Sequence, residues 1–453
     1  MTKKFLFSLL LSLAAGTASA AEPLPNGTMR FSIFAPMAKE VVLQGSGVLR
    51  KQKMIRQTDG SWTYVSAVLP PEMYTYNFVI DDDVMQTEPA GMPTVRDIDR
   101  HYNYFFVPGW PADYYMDQPV PHGRVEQPWY PSNLNGMMQR RMSVYLPAEY
   151  DSQTEKRYPV LYLLHGSGGD ETAWLNMGRL AQIMDKMTAE GKCEPMIVVM
   201  PNGNADLDAA PGESPYMNAE PKASNLSSMT GRIEVAFPVE VMAYVEQHYR
   251  TINDKQHRAI AGLSLGGLHT LFITANNPQA FDYVGLFSPQ TTNSLNGKKI
   301  SGIKSITKGI KSLAGQIPVV GDKWENKLDK KFEKYDDIVT YDSIDQKLAA
   351  QFAEAPRLYY IAVGKEDYVK KLVDMHREKL DAAGYPYKYN ESDGGHTWDN
   401  WRRYLLNFLP QLFRSRVRRK MYYGGKKLIK TFFVYCHYVY HHVGVCKHFE
   451  AAC

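Results

Sequence analysis

A serine, a carboxylate, a histidine and a glycine-rich loop are spaced along this chain so that they could form an acyl-transfer centre. The serine is Ser264, in Gly262-Leu263-Ser264-Leu265-Gly266. A serine hydroxyl is a weak nucleophile at neutral pH. It needs a base, a group to orient that base, and donors for the developing oxyanion. The G-x-S-x-G pattern between a buried strand and a helix makes a tight elbow that lifts the hydroxyl above a sheet. Here "HRAIAG" is strand-like, "GGLHTLFITANN" is helix-like, and Pro278 ends the run.

In this architecture the acid and then the histidine follow the serine along the chain. Asp367 closes the buried apolar run "RLYYIAVGKED", where ligands gather at the strand ends of open α/β sheets. Glu366 is its neighbouring rival. His396 follows Asp393-Gly394-Gly395 and precedes an amphipathic stretch, so its loop can turn the imidazole toward Ser264. His165, in "LLHGSGGDETAW", is the rival base, although its place suits a structural or oxyanion-loop role. The glycines of that loop allow backbone N–H groups to point into a site. The expected oxyanion donors are the N–H groups of Leu265 and Ser167, with Gly166 as the alternative to Ser167. Trp174, Asn202 and Trp398 are the candidates to line the substrate site, with Tyr216 and Met217 nearby in a long polar loop. No His, Asp or Glu cluster has metal-ligand spacing, and no cofactor is expected.

Several elements must position these groups. "YPVLYLLHG", "CEPMIVVMPNG", "HRAIAGLS" and "FDYVGLFSP" are continuous apolar runs, as strands buried on both faces of a parallel sheet require. Helical patterns such as "LAQIMDKMTAEG" alternate with them. The spacing predicts a doubly wound α/β domain over residues 120–413. Residues 22–110 are different, with short alternating stretches such as "MRFSIFAP" and "MYTYNFVID" separated by turns. They predict a small all-β sandwich of immunoglobulin type. The lysine-rich stretch 291–340 breaks the α/β rhythm and is expected to be an insertion.

Both ends distort the composition. Residues 1–20 have two lysines, an apolar run and an Ala18-Ser19-Ala20 end, the pattern of a cleaved secretory signal. That predicts a periplasmic or secreted protein with no membrane span after cleavage. The tail from Arg414 to Cys453 holds nine Lys or Arg against one acid. It also holds three of the four cysteines, and is expected to be disordered or non-native. Without these ends the net charge of +4 becomes −6, which gives no footprint for nucleic acid. Cys193 alone in the body cannot form an internal disulfide there.

The stretches "YPVLYLLHGSGGDETAW", "PMIVVMPNGN", "IAGLSLGGLHTLFI" and "DGGHTWDNWRRYLLNFLPQLF" resemble the esterase D-like α/β-hydrolases of carbohydrate esterase family one. That family includes feruloyl and acetyl xylan esterases. Residues 22–110 resemble the isoamylase-type β-sandwich, a glycan-binding-like module. The resemblance implies Ser264 as nucleophile, Asp367 as acid, His396 as base, and Ser167 and Leu265 at the oxyanion positions. The family often has methionine where Leu265 stands, but only the backbone N–H is used. The implied protein is a feruloyl esterase acting on ester-bearing plant polysaccharide such as xylan, without metal or cofactor. An acetyl xylan esterase, an enterochelin-type siderophore esterase and a non-catalytic glycan-binding protein are the alternatives.

Overall fold

A computed structural model describes residues 21–82, 84–86, 92–134, 137–214, 231–291 and 339–414. The signal-like leader, Tyr216 and Met217, nearly all of the 291–340 insertion and the tail beyond Arg414 lie outside the described residues. No described helix is long and apolar enough to cross a membrane.

The N-terminal strands form two antiparallel sheets. One runs Ala21–Pro23, Met29–Phe34, Ser61–Val65, Ile55–Arg56. The other runs Gln52–Lys53, Val41–Gly45, Glu72–Ile80, Arg100–Val107, Thr94–Asp97, with Val84–Gln86 pairing Glu72–Ile80. Alternate residues face inward, as the period of a strand requires. Phe31 and Trp62 of the first sheet and Val41, Leu43, Tyr76 and Phe78 of the second share one apolar core. The rings of Phe31 and Tyr76 meet edge-on at 5.1 Å.

The larger sheet has nine strands. Its order is Arg124–Glu126, Gln139–Leu146, Ile197–Pro201, Val160–Leu164, Arg258–Leu263, Tyr283–Phe287, Leu358–Gly364, Lys388–Ser392, with Trp129–Pro131 pairing Gln139–Leu146. From Ile197–Pro201 onward all pairs are parallel. The apolar runs are continuous because both faces are covered. Leu358, Tyr360 and Ala362 enter one core. Tyr359, Ile361 and Val363 enter the core on the opposite face. Helices Leu180–Ala189 and Trp398–Phe408 cover the first face, and helix Leu265–Asn276 packs on the other.

The N-terminal strands join the first of these cores through Met73 and Val95. Buried Glu72 accepts from Arg402 at 2.9 Å and from Arg403 at 3.3 Å, both on helix Trp398–Phe408. The Arg402 guanidinium also donates to the Met177 carbonyl at 2.7 Å. A buried ion pair is expensive to desolvate and strongly destabilising to break, so this contact fixes the two parts in one arrangement.

Candidate active site

Ser264 lies between strand Arg258–Leu263 and helix Leu265–Asn276, with φ 53° and ψ −114°. Positive φ is unusual for a non-glycine residue, and such strain persists only where surrounding bonds over-determine it. Those bonds are visible. The Ser264 N–H donates to the Phe287 carbonyl at 2.9 Å, and its carbonyl accepts from the Gln290 N–H at 3.0 Å. The flanking glycines are dictated by space. A Cβ on Gly262 would lie 2.8 Å from Thr270 Oγ1, and one on Gly266 would lie 2.6 Å from the Leu164 carbonyl oxygen. Ser264 is 4% exposed, and its hydroxyl stands at the sheet's C-terminal edge.

Asp367 and His396 come from the turns after strands Leu358–Gly364 and Lys388–Ser392, two and three strands beyond the elbow's. His396 Nδ1 lies 3.0 Å and 3.1 Å from the two Asp367 carboxylate oxygens. A proton on Nδ1 donating to the carboxylate leaves Nε2 as the basic nitrogen. The Asp367 side chain is fully buried and also accepts from the Val369 N–H at 3.0 Å. The two turns are joined through their backbones. The Glu366 N–H donates to the Gly394 carbonyl at 3.1 Å, and that of Lys365 to the Ser392 carbonyl at 2.9 Å. Buried Asn400 donates to the Gly395 carbonyl at 2.9 Å and accepts from Ser392 Oγ at 3.0 Å. Glu366 itself is exposed.

The structure adds residues that the sequence did not single out. The Tyr368 ring lies 4.4 Å from that of His396. Burial and the Asp367 charge push the Tyr368 phenol up, so it stays protonated. Trp401 meets the imidazole edge-on at 4.9 Å. Tyr368 directly follows the acid in sequence, but nothing local shows that its ring lies against the imidazole.

Helix Leu265–Asn276 begins at Leu265, where the first N–H groups of a helix are unclaimed by its own carbonyls. The loop His165–Thr172 lies beside Ser264, so that a Cβ on Gly166 would sit 3.3 Å from Ser264 Cβ. Ser167 is exposed on this loop. His165 braces the loop, with Nδ1 2.8 Å from the Gly166 carbonyl and Nε2 accepting from the Gly203 N–H at 2.7 Å.

Two of the three candidate substrate residues face elsewhere. Trp174 is 1% exposed, donates to the Leu164 carbonyl at 3.0 Å and packs edge-on against Phe287 and Trp398. It anchors the core and has no free face for a ligand. The Asn202 side chain is also committed, donating to Glu171 at 2.9 Å and accepting from the Asn204 N–H at 2.9 Å. Trp398 is half-buried and lies 5.2 Å from Trp401, its indole N–H donating to Asp97 at 3.3 Å. Among the described residues no group of three or more His, Cys, Asp or Glu is placed to hold a metal ion.

His165 and His376 are both buried, and burial lowers each imidazole pKa to about 4. In the unfolded chain both titrate near ~6.5. The folded protein therefore binds fewer protons between these values. The stability they contribute is complete above the unfolded value and is lost as pH falls from there through the folded one. Each group steepens the loss by up to about 1.4 kcal/mol per pH unit. Denaturant unfolding at pH 7, 6 and 5 should show this slope, and His376→Gln should flatten it by roughly one such increment. A variant with the parent's slope would refute a neutral buried imidazole at His376.

An α/β-hydrolase sheet with a serine on a strained elbow, and an imidazole–carboxylate pair beyond it, is the arrangement of the serine hydrolase class. The chain belongs to the Esterase family, whose profile matches residues 135–412. It is 32% identical over 283 residues to an endo-1,4-beta-xylanase/feruloyl esterase of Xylanibacter ruminicola, a match covering 59% of this chain and 36% of that protein. The chain thus spans about a third of that relative's length. An acetyl esterase of Caldicellulosiruptor saccharolyticus is 26% identical, covering 57% of this chain and 84% of that one. The enterobactin esterase FES of Shigella flexneri shares the fold at 15% identity and a TM-score of 0.56, covering 87% of this chain and 95% of that one.

Proposed function

We propose that this protein hydrolyses carboxylic esters with Ser264, His396 and Asp367, and that its substrates are feruloyl-type aromatic esters of plant cell-wall polysaccharide. The observation that carries the chemistry is the placement of His396 Nδ1 on both Asp367 oxygens, beside a serine held at positive φ. His396 Nε2 takes the Ser264 proton as Oγ attacks the ester carbonyl, and Asp367 stabilises the imidazolium. The N–H groups of Leu265 and Ser167 receive the oxyanion. His396 returns the proton to the departing alcohol, then activates water against the acyl-enzyme. The signal-like residues 1–20 support a periplasmic or secreted location. The two antiparallel N-terminal sheets fit an immunoglobulin-like module of isoamylase type, serving as a structural platform.

The aromatic preference is supported by the named relative and by the rings gathered at His396. Tyr368, Trp398 and Trp401 replace buried Trp174 as the aromatic wall. An aromatic pair adds roughly 0.5–1.5 kcal/mol beyond simple burial, so kcat/KM for methyl ferulate should exceed that for a small acetyl ester by about tenfold. An equal or higher value for acetate would move the assignment to an acetyl esterase. Fast turnover of a catecholate siderophore alone would move it to a siderophore esterase, the reading favoured by the shared fold of the enterobactin enzyme. No turnover of any ester would leave the glycan-binding alternative.

A further inference from the structure

The loop that carries Ser167 is held both by its own turn bonds, such as Gly169 N–H to the Gly166 carbonyl at 3.1 Å, and from outside. Its backbone crowds Ser264. At its start His165 is fixed by the Gly203 N–H, and near its end Asn204 donates to the Gly169 carbonyl. Glu171 is held by Arg141 at 2.7 Å and by the Asn202 amide at 2.9 Å, and a further clamp comes from far upstream. Arg96, on strand Thr94–Asp97, reaches Asp170 Oδ2 at 2.7 Å and donates from its other terminal nitrogen to Thr172 Oγ1 at 2.7 Å. Asp170 Oδ1 in turn accepts from the Thr172 N–H at 2.9 Å and from its hydroxyl at 2.7 Å.

We propose that Arg96 is a positioning residue for the reaction. By pairing with buried Asp170, it holds the Ser167 N–H where the oxyanion forms. This rests on the esterase reading above. Asp170 stands three residues after Ser167, and its carboxylate is 2% exposed. Burial alone would push that carboxyl up, but the Arg96 guanidinium and the Thr172 bonds outweigh it and hold the pKa below the usual range. Without Arg96, a buried charge loses its partner, and the loop must move to hydrate it. The planar guanidinium donates to the Ile98 carbonyl at 2.7 Å and to Thr172 Oγ1 at 2.7 Å while its charge lies against the Asp170 carboxylate, a combination that a single ammonium reproduces poorly. The N-terminal β region therefore acts on the chemistry through a loop that it does not itself belong to.

The test is Arg96→Met, with Arg96→Lys and the double variant Arg96→Met/Asp170→Asn. Losing an oxyanion donor costs about 10²–10³ in kcat, so a displaced one should lower kcat by roughly 100-fold with KM little changed. A phenylboronic acid forms a tetrahedral adduct on a serine nucleophile and should lose affinity in step with kcat. Inhibition by ferulate, which forms no oxyanion, should hold. The double variant should regain most of the loss, because no charge is left buried alone. Arg96→Lys should fall between parent and Arg96→Met, and it is the arm to read if Arg96→Met does not fold. A purely structural role would lower the unfolding temperature while leaving kcat and the boronate-to-ferulate ratio as in the parent. That result, in whichever variant folds, overturns the proposal. If the parent turns over esters and Ser264→Ala does not, an unchanged Arg96 variant sinks this inference alone. A parent that turns over no ester sinks the reading beneath it.

Discussion

Ser264→Ala should abolish ester hydrolysis. The expected fall in kcat is on the order of 10⁶-fold, the loss that follows removal of the nucleophile from a serine triad. Alanine lacks only the hydroxyl, and every backbone bond that holds the elbow remains. The circular dichroism and unfolding midpoint should therefore match the parent's. Residual turnover above about a hundredth of the parent's, in folded and uncontaminated protein, would show that another group attacks the ester.

Asp367→Asn should lower kcat by about 10⁴-fold with little change in KM. The amide keeps the shape and can still accept from the Val369 N–H. Its NH₂ would donate to His396 Nδ1, moving the imidazole proton to Nε2, where it faces Ser264 and cannot serve as a base. A loss under about tenfold would reduce Asp367 to a cap for the helix after it. Exposed Glu366 would then be the acid to test. Steady-state kinetics of the two amide variants, Asp367→Asn and Glu366→Gln, separate the two possibilities.

What could be read from the sequence was what local chain geometry determines. The elbow, the run of buried strands and the glycines before His396 are signals that span a few residues each, and the structure brings His396 and Asp367 into direct contact. Strand alternation also marked the N-terminal segments, and the bounds differ by only a residue or two at most ends, as with Glu72–Ile80. Facing direction was harder to read. Trp174 lies next to the glycine loop in sequence, but its indole turns under the loop to the Leu164 carbonyl. Asn202 follows a strand end, where ligands gather, yet a buried carboxylate claims its amide. Contacts distant in sequence left no trace at all. Nothing around Arg96 announces Asp170, and nothing around Glu72 announces Arg402, because pairing across such distances depends on the assembled sheets.

The pairing of Glu72 with Arg402 and Arg403 bears on how this chain could be recombined. Multidomain proteins are often treated as beads that can be exchanged at linkers. A cut near Gly109-Trp110-Pro111 would strand Arg402 inside the hydrolase, strip the apolar cover that Met73 and Val95 supply, and do so on the helix that begins two residues after His396. Any other module spliced in front would have to bring a carboxylate of its own to that spot. A working exchange would therefore have to replace both the carboxylate and the apolar cover, or leave the joint between the two parts intact.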